Sequence, residues 1–168
     1  MSASDQQINH SRYQIIPRVL IFAFRRDEVL LIKLLPKNGK ITKWTDRYNG
    51  PGGHVEQGED LLLAASREFF EETGLKGELS LCGTIMVDIQ NSPGIGLFVF
   101  RADNILGDGC KSIEGIPEWI PMEKLCDYPL VEDVVFILEK INSMNKGDAP
   151  FSGRSYYDES GNLQVVFR

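Results

Sequence analysis

The chain has 168 residues, 42% of them hydrophobic and 25% charged, with a formal net charge of −6. This composition excludes wholesale disorder and supplies enough apolar surface for one domain with its own core. The acidic balance excludes a grip on polymeric nucleic acid through a basic face, which needs clustered Lys and Arg. It does not exclude a small nucleotide whose charge a metal ion can offset.

Residues 1–12, "MSASDQQINHSR", are polar and lack the apolar stretch of a signal peptide, so a flexible N-terminal tail is expected, with a single domain over 13–168. "YQIIPRVLIFAF" and "VLLIKLL" are two apolar, β-branched runs separated by "RRDE", and they read as a hairpin of largely buried strands. "PKNGKITKWTDRYNG" reads as a loop, leading into a glycine turn and a helix from about Glu59 to Thr73, which Gly74 should cap. "ELSLCGTIMVDIQ" and "IGLFVFRAD" read as strands joined by the turn "NSPG". "NILGDGCKSIEGIP" reads as a loop and "EWIP" as a short strand ended by Pro121. In "PLVEDVVFILEKINSM", Leu130, Val134, Leu138 and Ile141 repeat at helical spacing. A final hairpin turns at "ESGN". Strands mixed with two main helices place the chain in the α/β (α+β) class.

No segment approaches the ~20 apolar residues of a membrane helix. Cys82, Cys110 and Cys126 are odd in number and form no CxxC pair, which suits reduced thiols in a cytoplasmic protein.

The unusual stretch is "GGHVEQGEDLLLAASREFFEETGL". On a helix, Glu68, Glu71 and Glu72 share one face, because residues three and four apart are neighbours. Like charges at those spacings cost ~0.2–0.5 kcal/mol per pair, and Arg67 is one cation against several carboxylates. A divalent cation over that face would reverse the sign. Carboxylates are hard ligands that suit Mg²⁺ or Mn²⁺. The opposite face, with Leu62, Ala65 and Phe69, can pack on a sheet, leaving the acids beside a glycine turn where a phosphate can approach closely.

Gly53, Glu59, Arg67, Glu68, Phe69, Glu71, Glu72, Gly74 and Leu75 together fill every fixed position of a 23-residue pattern that resembles the Nudix hydrolase family. The resemblance implies an α-β-α sandwich around a curved mixed sheet, and hydrolysis of a diphosphate bond in a nucleoside diphosphate linked to another group. By resemblance, Glu68, Glu71, Glu72 and the carbonyl of Gly52 hold Mg²⁺, with Mn²⁺ an alternative, while Glu59 and Arg67 orient the ligating glutamates. Glu68 and Glu114 both stand as candidates for the general base, and Glu114 also as an additional metal ligand.

The rest of the chain resembles the MutT-like branch that hydrolyses oxidised purine nucleoside triphosphates such as 8-oxo-dGTP. "RYNGPGGHVEQGE" places Tyr48 and Asn49 before the glycines, and "EWIPMEKLCDYPLVED" places Glu132 and Asp133 where paired acids face the base in that branch. An amide at Asn49 and a carboxyl at Glu132 or Asp133 match purine edges in donor and acceptor type. The same residues have plain structural readings. Asn49 can close the turn, Glu132 and Asp133 can be the acidic first turn of a helix, and Tyr48 and Trp44 can be packing residues. One departure stands out. Where that branch carries a stacking aromatic just before the acids, this chain has Leu130. The expected substrate is a small nucleotide, with no polymeric nucleic acid and no membrane, and with the chain acting as a monomer or homodimer. The alternatives are an ADP-ribose or nucleotide-sugar diphosphatase and a non-catalytic nucleotide-sensing module.

Overall fold

The computed structural model describes residues 9, 11–36, 39–90, 93–112, 115–145 and 147–168. The expected hairpin forms from β1 (Ile15–Arg25) and β2 (Glu28–Leu34), antiparallel with Ala23 opposite Leu30. Past that point the two strands part. β2 takes β3 (Tyr48–Asn49) as its neighbour, with Ile32 opposite Asn49, while β1 takes β4 (Gly52–His54), with Leu20 opposite Gly52. The glycine turn sits at this fork, fixed by the Ile21 N–H donating to the Pro51 carbonyl at 2.8 Å.

Helix α1 (Leu61–Thr73) follows. Asp60 caps its first turn by accepting from the Leu63 amide at 2.8 Å. Its last turn closes on Gly74, at φ 70°, whose N–H donates to the Phe70 carbonyl. That left-handed backbone is why a glycine stands there. β5 (Lys76–Val87) and β6 (Gly94–Leu106) are antiparallel, then β7 (Gly115–Pro121) pairs with the free edge of β2. A 3-10 segment (Met122–Asp127) leads to α2 (Val134–Asn142), and the chain ends in the hairpin β8 (Phe151–Tyr157) and β9 (Leu163–Phe167).

The sheet order is β3-β2-β1-β6-β5-β8-β9, with β4 added beside β1 and β7 beside β2. β1 and β6 run parallel, as do β5 and β8, so the sheet is mixed. β1 shows why its sequence is apolar without alternation. Val19, Ile21 and Ala23 face Ala64, Ala65 and Phe69 of α1, whereas Leu20 and Phe22 join Val134, Ile137, Leu138 and Ile141 of α2. The result is the expected α-β-α sandwich. Phe69, 1% exposed, anchors α1, and its truncation to Ala would cost ~3–5 kcal/mol.

Three expectations change. β7 begins at Gly115, not Glu118, because Pro117 is tolerated in a strand that pairs on one side only. β6 continues to Leu106 through residues read as loop. Leu130 is buried but lies outside α2, in a bridge to Tyr48. Most of the tail, Asn91 and Ser92 of the "NSPG" turn, and Glu114 fall outside the described residues.

Candidate active site at the glycine turn

Arg67 is the hub of the site. Its Nε and Nη2 donate to the two carboxylate oxygens of Glu59 at 2.7 and 2.9 Å, a bidentate pair. Nη1 donates to Glu68 at 2.9 Å and to Glu71 at 3.2 Å, and Nη2 also reaches the His54 carbonyl at 3.1 Å. The helix therefore spends its cation on holding three carboxylates and one end of β4 in register. Glu59 accepts in addition from the Glu56 amide at 3.0 Å. Arg67 first, and that amide second, hold Glu59 below its ordinary 4.5, at about 2. The same ring of acids raises Arg67.

Glu72 is 7% exposed. It accepts from the Gly52 amide at 2.8 Å, so the residue expected to give a carbonyl to a metal holds one of the expected ligands with its N–H. Glu68 lies flat on Gly53. A Cβ at Gly53 would stand 2.3 Å from Glu68 Oε1, so only glycine leaves room for that carboxylate. Glu71 remains outward, its side chain 58% exposed. The strands brought Gly52, Gly53, Glu59, Arg67, Glu68, Glu71 and Glu72 into one locus.

Among the described residues no three acidic or histidine side chains stand as a closed ion-binding cluster, since Arg67 draws Glu68 and Glu71 to itself. The donors nevertheless fit a hard divalent cation. All are carboxylate or carbonyl oxygens, and the missing Cβ at Gly53 is what lets the Glu68 carboxylate reach the turn.

The second group of candidate residues gathers beside β3. The Tyr48 amide donates to the Pro129 carbonyl and the Val131 amide to the Tyr48 carbonyl, both at 2.9 Å. These bonds lay residues 129–131 along β3 and bring Asn49 and the Glu132–Asp133 pair onto adjoining segments. Asn49 Oδ1 accepts from the Gly50 amide at 2.9 Å, which supports the turn-closing reading of this residue. Asp133 sits at the start of α2 with no side-chain cap bond. Burial, then the adjacent Glu132 charge, push its carboxyl up from the ordinary value, against its own backbone amide and Lys43.

Tyr48 departs from its expected place. It is 8% exposed, its hydroxyl donates to Glu118 at 2.9 Å, and its ring meets Tyr128 edge-on at 5.1 Å. Burial and the Glu118 charge raise its phenol to about 12. Tyr48 is a packing residue that carries Asn49 on its neighbouring position.

Several partners were not foreseen. Arg18 of β1 donates to His54 Nε2 at 2.9–3.2 Å, beside the glycine turn. Glu118 receives both Tyr48 and Tyr128. Tyr157 of β8 donates to Glu132. Each pair spans 10 or more residues, and up to 70, so no local spacing could have announced it.

A model of the family described as the NUDIX domain matches residues 15–134. The oxidized purine nucleoside triphosphate hydrolase of Danio rerio is 37% identical over 81 residues, 47% of this chain and 52% of that protein. The match thus spans about half the length of that relative. Diphosphoinositol polyphosphate phosphohydrolase 3-beta of Bos taurus is 31% identical over 134 residues, covering 78% of this chain and 77% of the other. The crystal structure of the mutator MutT protein from Bacillus halodurans superposes with a TM-score of 0.74 at 23% identity, over 91% of this chain and 97% of that one. With its glutamates, arginine and glycines in one place on a MutT-like fold, the chain belongs to the NUDIX family.

Proposed function

We propose that this chain is a Mg²⁺-dependent pyrophosphohydrolase that converts a purine nucleoside triphosphate, including oxidised forms, to the monophosphate and pyrophosphate. The observation that carries the reading is the Arg67-centred array of Glu59, Glu68 and Glu71, set against the Gly52–Glu72 hydrogen bond. Glu68, Glu71, Glu72 and the Gly52 carbonyl are the groups that would hold the cation. When bound, such an ion neutralises phosphate oxygens and acidifies a water.

The residues divide the remaining work. Arg67 and the Gly52 amide fix the directions of the carboxylates, so that little reorganisation is left for the reaction itself. Glu59, an anion down to about pH 2, keeps Arg67 in place and has no proton to give. Glu68, whose carboxylate lies over Gly53, is the general base in reach of the turn, with Glu114 the other candidate. At the far end Asn49 offers an amide donor. Asp133, its carboxyl raised by burial from the ordinary value, sets an acid at the same end. These match a purine edge.

A second reading, a diphosphoinositol polyphosphate as substrate, draws on the longer alignment with that group of relatives. Charge argues against it. A polyphosphorylated ring needs several cations, whereas Arg67 is already engaged by carboxylates and Glu132 and Asp133 add negative charge.

The test is product release with Mg²⁺ from natural and oxidised purine triphosphates, ADP-ribose, a nucleotide sugar and a diphosphoinositol polyphosphate. Pyrophosphate from purine triphosphates, lost with a chelator and restored by Mg²⁺, is the expected result. Turnover confined to the inositol compound or to ADP-ribose would discard the substrate assignment and keep the metal site.

A further inference from the structure

The loop before β3 is not slack. The Thr42 amide donates to Thr45 Oγ1 at 2.9 Å, the Trp44 amide to Thr42 Oγ1 at 3.2 Å, and the Arg47 amide to the Trp44 carbonyl at 3.0 Å. The Asp46 amide and the Arg47 carbonyl pair with Leu34, and Lys33 bridges Asp46 at 3.1 Å. These bonds hold the backbone at Trp44, whose ring is half-buried against the α2-side core.

Across from it stands Tyr157, the last residue of β8, 45% exposed. Its hydroxyl is tied to Glu132, so its ring has a fixed direction. The Lys43 ammonium lies within reach of both, 4.0 Å from the Trp44 ring centre and 5.7 Å from that of Tyr157. Two aromatic rings from segments more than a hundred residues apart thus share one cation, next to Glu132 and Asp133. A cation held by two ring faces is a modest interaction at an exposed site. A nucleobase stacked on such rings gains more. The chain lacks an aromatic at Leu130, where the MutT-like pattern would supply the stack.

We infer that Trp44 and Tyr157 form the stacking platform for the substrate base, with Lys43 occupying the gap until the base displaces it. This rests on the nucleotide reading above and names the residues that give it base affinity. Stacking is tolerant of base identity, so the platform sets affinity for purines in general while Asn49 and Asp133 read the edge.

The experiment separates base from phosphate. Tyr157→Ala and Trp44→Ala are each expected to raise KM for a purine triphosphate about ten-fold or more, with kcat changed less than about three-fold, and to leave KM for a base-free ribose triphosphate unchanged. Tyr157→Phe keeps the ring and should stay within about three-fold of the parent. Lys43→Met should not raise KM. Binding is read independently, without metal or turnover, in a Trp119→Phe background. There a purine nucleoside monophosphate should quench Trp44 fluorescence, and Tyr157→Ala should shift that titration by about ten-fold. Equal losses on the base-free substrate would overturn the platform, as would a Tyr157→Phe effect as large as Tyr157→Ala, which would assign the role to the hydroxyl and Glu132. Should Trp44→Ala lose its fold, the Tyr157 series and the fluorescence titration still decide. Unchanged purine kinetics in a hydrolysing enzyme sinks the platform alone. Failure of every base-bearing compound to bind or react sinks the platform and the nucleotide reading together.

Discussion

At the glycine turn, one guanidinium makes five hydrogen bonds to Glu59, Glu68, Glu71 and the His54 carbonyl, and a backbone amide holds Glu72. Beside β3, the candidate base-reading groups are held by partners from four different parts of the chain: the 42–47 loop, β3, residues 129–133 and β8. The first region is short in sequence and dense in charge. Its geometry follows from helix periodicity and one missing Cβ. The second is spread from Lys43 to Tyr157 and is held mostly by neutral or single contacts. The lesson is that the reacting end can be specified by a motif, whereas the selecting end must be assembled by the whole fold.

This contrast can be broken at the first region with the largest effects. Glu72→Gln keeps shape and removes the charge beside Gly52. It should lower kcat about 100-fold or more while the thermal midpoint stays within a few degrees. Activity near the parent level would remove Glu72 from the metal-holding set. Gly53→Ala places a methyl 2.3 Å from Glu68 Oε1 and so moves that carboxylate. We expect a loss of about 10–100-fold in kcat with KM little changed, measured under saturating Mg²⁺. A fully active variant would mean that Glu68 works equally well displaced.

A pH titration sharpens the comparison. Glu59 lies at about 2 in the folded chain against 4.5 ordinarily. A lowered carboxyl contributes stability that is complete above 4.5 and lost as pH falls toward about 2. Glu59→Gln should therefore flatten that acid limb in urea midpoints taken from pH 5 downward. An unchanged slope would show that other carboxylates carry it. The smallest effect belongs to the second region. Asn49→Ala removes the bond to the Gly50 amide and should cost about 1 kcal/mol, seen in denaturant unfolding. It should also raise KM for purine triphosphates more than for a base-free analogue. Equal shifts would leave Asn49 with its turn-closing role alone.

What the sequence made legible follows the same division. Gly74, the glutamate register and the packing of Ala65 and Phe69 were readable because each depends on neighbours within four residues, whereas Leu62, read onto the same face, is 52% exposed. The hairpin β8–β9 was readable for a similar reason, with Asp158 accepting from the Ser160 and Asn162 amides inside its turn. Leu130 shows where periodicity misleads. It matches the helical repeat, yet it is buried by a bridge to Tyr48 before the helix begins. Tyr48 itself read as a site residue because it precedes Asn49. Strand alternation sends it inward to Glu118 instead. The parallel pairing of β5 with β8, which brings Tyr157 to Glu132, has no local cue at all.

The centre of the sheet also sets the order of events during synthesis. β1 pairs in parallel with β6, from Ile15 opposite Gly94 to Ala23 opposite Ala102. One edge of the most apolar strand must therefore wait for a partner about eighty residues downstream before it is satisfied. Contacts of that separation fold slowly, because the closure entropy comes before the reward. Until β6 has left the ribosome, "RVLIFAF" is an unpaired strand edge with high β-propensity, the segment most exposed to intermolecular pairing. Yield at elevated expression temperature, rather than the stability of the finished protein, is where a charge introduced on that strand would be felt first.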